Sequence, residues 1–305
     1  MKYHAPLRRR ARAVRRAAAA GLRGAMWHGG RVIPTFWWDG HPNFGDDMTP
    51  WLLPRYGILP VHRRASEARL AGVGSILEFL PQTYDGAIWG SGLMADGRHP
   101  LPDAHVLAVR GPLTAERIGA TGSVAYGDPG LLVSRHVAKP PSQFHIGIVP
   151  HGHHRENSRL AALARTGGRV VTVINVHRSA AVTVRQIASC DVVFTTSLHG
   201  LVTADSYGIP ACWTTMEPPL TGGDFKFRDY EAAVTPGRSR YVPFSEVASL
   251  NDLMSSASSA DDALVRQLTD GLERALALWL SSTGGRSFPW GVVSGASLGI
   301  RHPRP

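Results

Sequence analysis

Cysteine is scarce in this sequence. Cys190 and Cys212 are the only two among 305 residues, which excludes a disulfide framework and fits either a reducing cytoplasm or a compartment indifferent to redox state. No run approaches the roughly 18 apolar residues that a membrane-spanning helix needs. Acid is missing from the first 38 residues, where nine Lys/Arg stand before Asp39; from there on, 24 Lys/Arg face 23 Asp/Glu. The net charge of +10 therefore belongs to a basic tail over residues 1–30. A globally basic fold is excluded, and no nucleic-acid partner is expected. Lysine is rare too, since arginine supplies 30 of the 33 basic residues. The chain lacks a G-x-x-x-x-G-K-[ST] phosphate loop, an H-E-x-x-H zinc motif and any Asp-x-Asp, so no metal is expected. His151-Gly152-His153-His154 has no Cys or carboxylate at ligand spacing beside it and reads as a loop, with His151 facing a cleft.

With 43% hydrophobic and 18% charged residues, a sizeable core is within reach. The tail, with RRRARAVRRAAAAGLRG from Arg8 onward, lacks the apolar stretch of a secretory signal. It reads either as a solvated extension or as a short helix touching an anionic membrane surface from its inner, cytoplasmic face. Beyond it, candidate strands at 32–38, 86–89, 105–109, 123–126, 145–149, 169–176, 191–196 and 209–214 alternate with candidate helices at 48–56, 112–118, 159–166, 182–189 and 201–207. That alternation predicts an α/β protein with largely parallel sheets. The Lys139–Gln143 segment KPPSQ reads as a link between two domains, 31–140 and 141–260. Leucines at 264, 268, 272, 276 and 280 predict a long amphipathic helix over 261–283 whose stripe is core. A loose Gly/Ser/Pro/Arg-rich tail follows over 284–305.

Five polar motifs sit just after predicted strands, where open α/β sheets bind ligands. Asn43-Phe44-Gly45-Asp46-Asp47 either caps a helix or uses a carboxylate to orient a sugar hydroxyl. Gly90-Ser91-Gly92 is a turn that lets a ligand approach the backbone. In Val109-Arg110-Gly111-Pro112, Arg110 stands between a strand end and a helix N-terminus, a place that favours anions, unless it is a plain surface arginine. Gly127-Asp128-Pro129-Gly130 is a turn with or without a functional Asp128. In Thr195-Thr196-Ser197-Leu198-His199-Gly200, His199 starts a helix at a strand end, where an imidazole transfers protons near neutral pH or packs locally.

Together these pieces resemble the polysaccharide pyruvyltransferase family. The resemblance rests on NFGDDMTPWLL from Asn43, the GSG at Gly90, VRGPLTAERIG from Val109, YGDPGLLV from Tyr126, IGIVPH from Ile146 and SLHGLVTADSYGIPA from Ser197. It lies closest to the branch that makes succinoglycan-type ketals. It implies two Rossmann-like domains facing a cleft, as in GT-B enzymes, with the long C-terminal helix packing back across them. It implies transfer of pyruvate from phosphoenolpyruvate to two hydroxyls of one sugar on a lipid-linked or polysaccharide precursor, with no cofactor beyond that donor substrate. The family's Arg-x-His stands here as Ser197-Leu198-His199, so the histidine carries over and the arginine does not. Lys226 and Arg228, in FKFRDY, are the candidates to replace that charge. On this reading His199 is the acid that protonates the donor's methylene carbon, Asp46 or Asp47 takes or orients a hydroxyl, and Arg110 meets the donor's anionic groups. Asn43, Gly45, Gly90, Ser91, Asp128 and Ser197 complete the binding set. The alternative is a GT-B glycosyltransferase using a nucleotide sugar.

Overall fold

The structure, a computed structural model, describes residues 31–283; the expected basic tail and C-terminal loose tail lie outside them. The first half contains β1 (Arg31–Phe36), α1 (Phe44–Leu52), β2 (Ile58–His62), β3 (Leu70–Ala71), β4 (Ala87–Ser91), β5 (His105–Val109), α2 (Pro112–Ile118), β6 (Ala125–Tyr126) and α3 (Val133–His136). Its six strands are all parallel, in the order β2-β1-β3-β4-β5-β6. Residues 137–143 lead to the second half. There β7 (Phe144–Val149), α4 (Ser158–Thr166), β8 (Val171–Val173), α5 (Ala180–Ala188), β9 (Cys190–Thr195), α6 (Leu198–Ser206) and β10 (Ala211–Trp213) build a parallel sheet in the order β10-β9-β7-β8. Then come α7 (Phe225–Val234), α8 (Leu250–Ser256) and α9 (Asp262–Ser282). The chain is α/β with two parallel sheets.

Several elements differ from the sequence reading. The helix expected at 48–56 starts at Phe44, because the Asn43 side chain accepts from Gly45 N and caps it, and a 3-10 turn takes over at Leu53–Tyr56 after Pro50. Strand β2 carries Pro60 and lies at the sheet edge, where a missing N–H is tolerated. Strand β3 is only two residues long. Helix α7 starts with the FKFRDY stretch and buries Phe225, Phe227, Tyr230 and Val234.

The two sheets share apolar material. Phe44, Met48, Trp51 and Leu52 of α1 join Val149, Val193, Leu198 and Leu201 of the second half in one buried cluster. The Phe44 N–H donates to Val176 O at 2.9 Å across the same junction. Helix α9 spans both halves. Leu268 packs in that shared cluster, whereas Leu272 and Leu276 pack under the first sheet with Trp89 and Leu53. The indole N–H of Trp89 donates to Leu272 O at 2.9 Å. Among the described residues, no helix is long and apolar enough to cross a membrane.

Candidate active site

The loops that follow β1, β3, β4, β7 and β9 meet the 220–226 segment around one cavity of about 190 Å³. Local hydrogen bonds aim the second-half loops. Thr195 Oγ1 donates toward Val149 O (2.8 Å) and accepts from the Ser197 N–H (2.8 Å), which turns the chain sharply into α6. Thr196 Oγ1 accepts from the His151 N–H at 2.8 Å and pairs with His154 Nδ1 at 2.9 Å. These bonds tie the histidine loop to the start of α6 and bring His151, His153, Ser197 and His199 onto one wall. His154 itself is buried and bonded at both ring nitrogens, so its role is to hold this loop.

The start of α1 supplies the opposite wall. Asn43 caps the helix, and its amide donates to Asp46 Oδ2 at 2.9 Å. Asp46 lines the cavity. Gly45 lies directly against the imidazole of His199: a Cβ there would fall 2.1 Å from Nδ1, so any larger residue would displace the ring. The other ring nitrogen, Nε2, faces Asp128 Oδ2 at 3.4 Å. Both atoms are buried and neither has a hydrogen-bond partner of its own. Asp128 is held by accepting the Gly130 N–H at 2.8 Å, which leaves its second oxygen for the histidine. The turn at 127–130 thus brings the Asp128 carboxylate beside the His199 ring. Phe44 packs edge-on against His199, with ring centroids 6.2 Å apart.

Burial sets the electrostatics. It pushes the Asp46 carboxyl up to about 6, even though the charges of His199 and Lys226 pull the other way. It pushes Lys226 down to about 8, with Arg110 adding to the depression and Asp46 opposing it. His151 is driven down to about 3, first by burial and then by Lys226. His151 is therefore neutral near pH 7, and its Nδ1 accepts from the His153 N–H at 3.2 Å. Lys226 lines the cavity, and among the described residues no carboxylate forms an ion pair with it.

Some expected contacts are not where the sequence put them. Arg110 does not reach the cavity. Its guanidinium is fully buried, pairs with Asp229 of α7 at 2.8 Å, donates to Ser75 Oγ at 2.7 Å and donates to Leu93 O at 2.5 Å. Asp229 also accepts from the Thr114 N–H and hydroxyl at the start of α2. The anion-binding geometry foreseen for that helix end is thus filled by a carboxylate of the chain itself. Gly90 and Ser91 are likewise interior. Gly90 has φ +74°, and a Cβ there would meet Pro129 at 2.2 Å. The Ser91 hydroxyl donates to Gly72 O. Arg228 is half exposed and pairs with Asp224 at 3.0 Å, away from the cavity lining, and Asp47 is also off that lining. The sequence reading missed Trp38, Ser75, Ile76, Phe79, Met94 and Leu220 on the cavity wall; no spacing signal joins them. It also missed a buried network in which Arg240 pairs with Asp205 and Glu231 while Tyr230 donates to Asp205 at 2.8 Å.

Comparison with known proteins adds family information. The family model described as polysaccharide pyruvyl transferase matches residues 79–217. The succinoglycan biosynthesis protein ExoV of Rhizobium meliloti (strain 1021) is 30% identical over 229 residues, covering 70% of this chain and 68% of that protein. An uncharacterized protein of Acanthamoeba polyphaga mimivirus is 28% identical over 179 residues, covering 54% of this chain and 62% of that protein.

Proposed function

The chain belongs to the polysaccharide pyruvyl transferase family, and on that footing we propose that it moves pyruvate from phosphoenolpyruvate onto two hydroxyls of one sugar in an exopolysaccharide precursor. The observation that carries this reading is Lys226: a cation on the cavity wall, without an ion-pair partner among the described residues, in the same cavity as His199 and Asp46. An anionic donor would satisfy it. In this sequence Ser197 stands where the family has arginine, and Lys226 supplies the missing charge.

Asp128 stands beside Nε2 of His199, which leaves Nδ1, beside Gly45, as the ring nitrogen that donates to the substrate. Its proton goes to the methylene carbon of the donor, which becomes a methyl group and leaves positive charge at the carbon bearing the phosphate oxygen. A sugar hydroxyl attacks that carbon and loses its proton to Asp46, whose elevated pKa suits a base working near neutrality. Phosphate departs from the carbon and the second hydroxyl closes the ring, its proton leaving with phosphate or solvent. Lys226 and neutral His151 hold the donor's anionic oxygens. Arg110 donates to Ser75 Oγ on the cavity wall, so Arg110 is a positioning residue.

We infer a GT-B-like arrangement for this cleft, because both sheets contribute their strand-end loops to it. We also infer a lipid-linked acceptor reached at the inner membrane face, with the basic residues of 1–30 adding electrostatic attraction. The test compares ligands and products. Phosphoenolpyruvate should raise the melting temperature and a nucleotide diphosphate sugar should not. Labelled pyruvate should enter a saccharide acid-labile linkage with release of inorganic phosphate. Stabilisation by the nucleotide sugar alone would return the glycosyltransferase alternative.

A further inference from the structure

The cavity walls differ in chemistry. The second-half wall carries Lys226, His151, His153 and His199; the first-half wall carries Trp38, Phe79, His41, Asn43, Asp46 and Ser75. Phe79 is unusual because it is 43% exposed yet fixed. It stacks on Trp38 with centroids 5.1 Å apart and planes 21° from parallel, and it meets Phe36 edge-on at 6.1 Å. Trp38 is pinned in turn by the Gly40 backbone, where a Cβ would fall 2.4 Å from the indole. An aromatic ring held rigidly at a cavity edge loses little freedom on binding, and its open face favours apolar C–H surface. Polar groups stand on the same wall. The Asn43 amide and the Asp46 carboxylate are already oriented against each other. Ser75 Oγ accepts from Arg110, so its own proton is left to donate elsewhere.

We propose that Phe79, backed by Trp38, is the platform for the apolar face of the acceptor pyranose, with Asn43, Asp46 and Ser75 taking its hydroxyls. The donor then lies on the Lys226 side, and the two substrates meet between Asp46 and His199. A neutral sugar suits this wall because Asp46 is the one carboxylate among its described lining residues and Trp38 and Phe79 offer apolar ring surface. The proposal rests on the transferase reading for the identity of the sugar's partner. Sugar binding itself is measurable without transfer.

The experiment uses saturation-transfer NMR with a panel of methyl hexopyranosides, alongside thermal shift with phosphoenolpyruvate, on wild type, Phe79→Ala, Phe79→Leu and Phe79→Trp. Wild type should bind at least one glycoside, with saturation strongest on the C–H groups of one ring face. Phe79→Ala and Phe79→Leu should weaken that binding about tenfold, the scale of losing one ring-sized apolar contact. Phe79→Trp should retain it, and the phosphoenolpyruvate shift should be the same in all four proteins. No glycoside binding by wild type, unchanged binding in the Ala and Leu variants, or loss of phosphoenolpyruvate with the glycoside retained would each overturn the platform. Glycoside binding through Phe79 in a protein that transfers no pyruvate keeps the platform and removes the transfer reading.

Discussion

Replacing Asp46 by Asn should make the protein more stable and less active at once. The carboxyl is buried, and its pKa rises from 3.8 to about 6. A rise of about two units is worth roughly 3 kcal/mol between the protonation states. The direction matters. A carboxyl with a raised folded-state pKa binds its proton more tightly when folded, so ionising it opposes folding. That cost is absent below pH 3.8, grows through the interval up to about 6 and is complete above it. Asparagine is uncharged throughout and still accepts from the Asn43 amide, which bonds Asp46 Oδ2 now. Asp46→Asn should therefore gain about 1–3 kcal/mol at pH 8, with the upper end set by the full shift and the lower by relaxation around the site. The gain should shrink toward zero as pH falls to 4. Urea melts at pH 4, 6 and 8 read this directly. Turnover in the same variant should drop by roughly 10²–10⁴-fold, as for loss of a general base. Equal or lower stability at pH 8, or a gain that does not depend on pH, would refute the buried-carboxylate account. Full activity would refute the base.

His199→Gln should cut turnover by roughly 10²–10⁴-fold while phosphoenolpyruvate still binds, and Asp128→Asn should lower kcat by about 10–10³-fold with KM for the donor little changed, because it misorients the ring; isothermal titration and steady-state kinetics separate the two effects, and unchanged kcat in Asp128→Asn would break the pair. Lys226, pushed down to about 8, carries its charge below that pH and loses it above, so donor KM should climb as pH passes 8. Lys226→Arg should flatten that rise, since guanidinium stays charged, and a pH profile identical in wild type and Lys226→Arg would exclude the lysine as the donor's cation. Arg110→Met should destabilise by about 3–5 kcal/mol, because Asp229 is left buried without its partner; a stable variant that fails only to bind phosphoenolpyruvate would restore the direct anion contact.

The repeated strand-end motifs were legible because each depends on neighbours a few positions away. Asn43 capping α1, His199 opening α6 and the leucine stripe of α9 are local patterns, and periodicity or turn chemistry is enough to find them. Strands β2 and β3 were not legible: one holds a proline and the other is two residues long, so neither shows the alternation on which strand detection relies. Phe79 and Trp38 gave no sign either, since a stack between residues 41 positions apart leaves no spacing to read.

The sequence by itself determined the α/β class, the order of the strand-end loops, and the presence in them of an imidazole and carboxylates. Tertiary structure decided which of these share a cavity. Arg110 and Lys226 are both cations in plausible places by sequence, yet Asp229, 119 residues from Arg110, neutralises the first and leaves the second facing the site. Lys226 and Arg228 sit two positions apart, and a helix turns about 200° over that interval, so only one of them can face the cavity. Charge compensation and side-chain direction are set by partners brought from distant segments, and a linear pattern records neither.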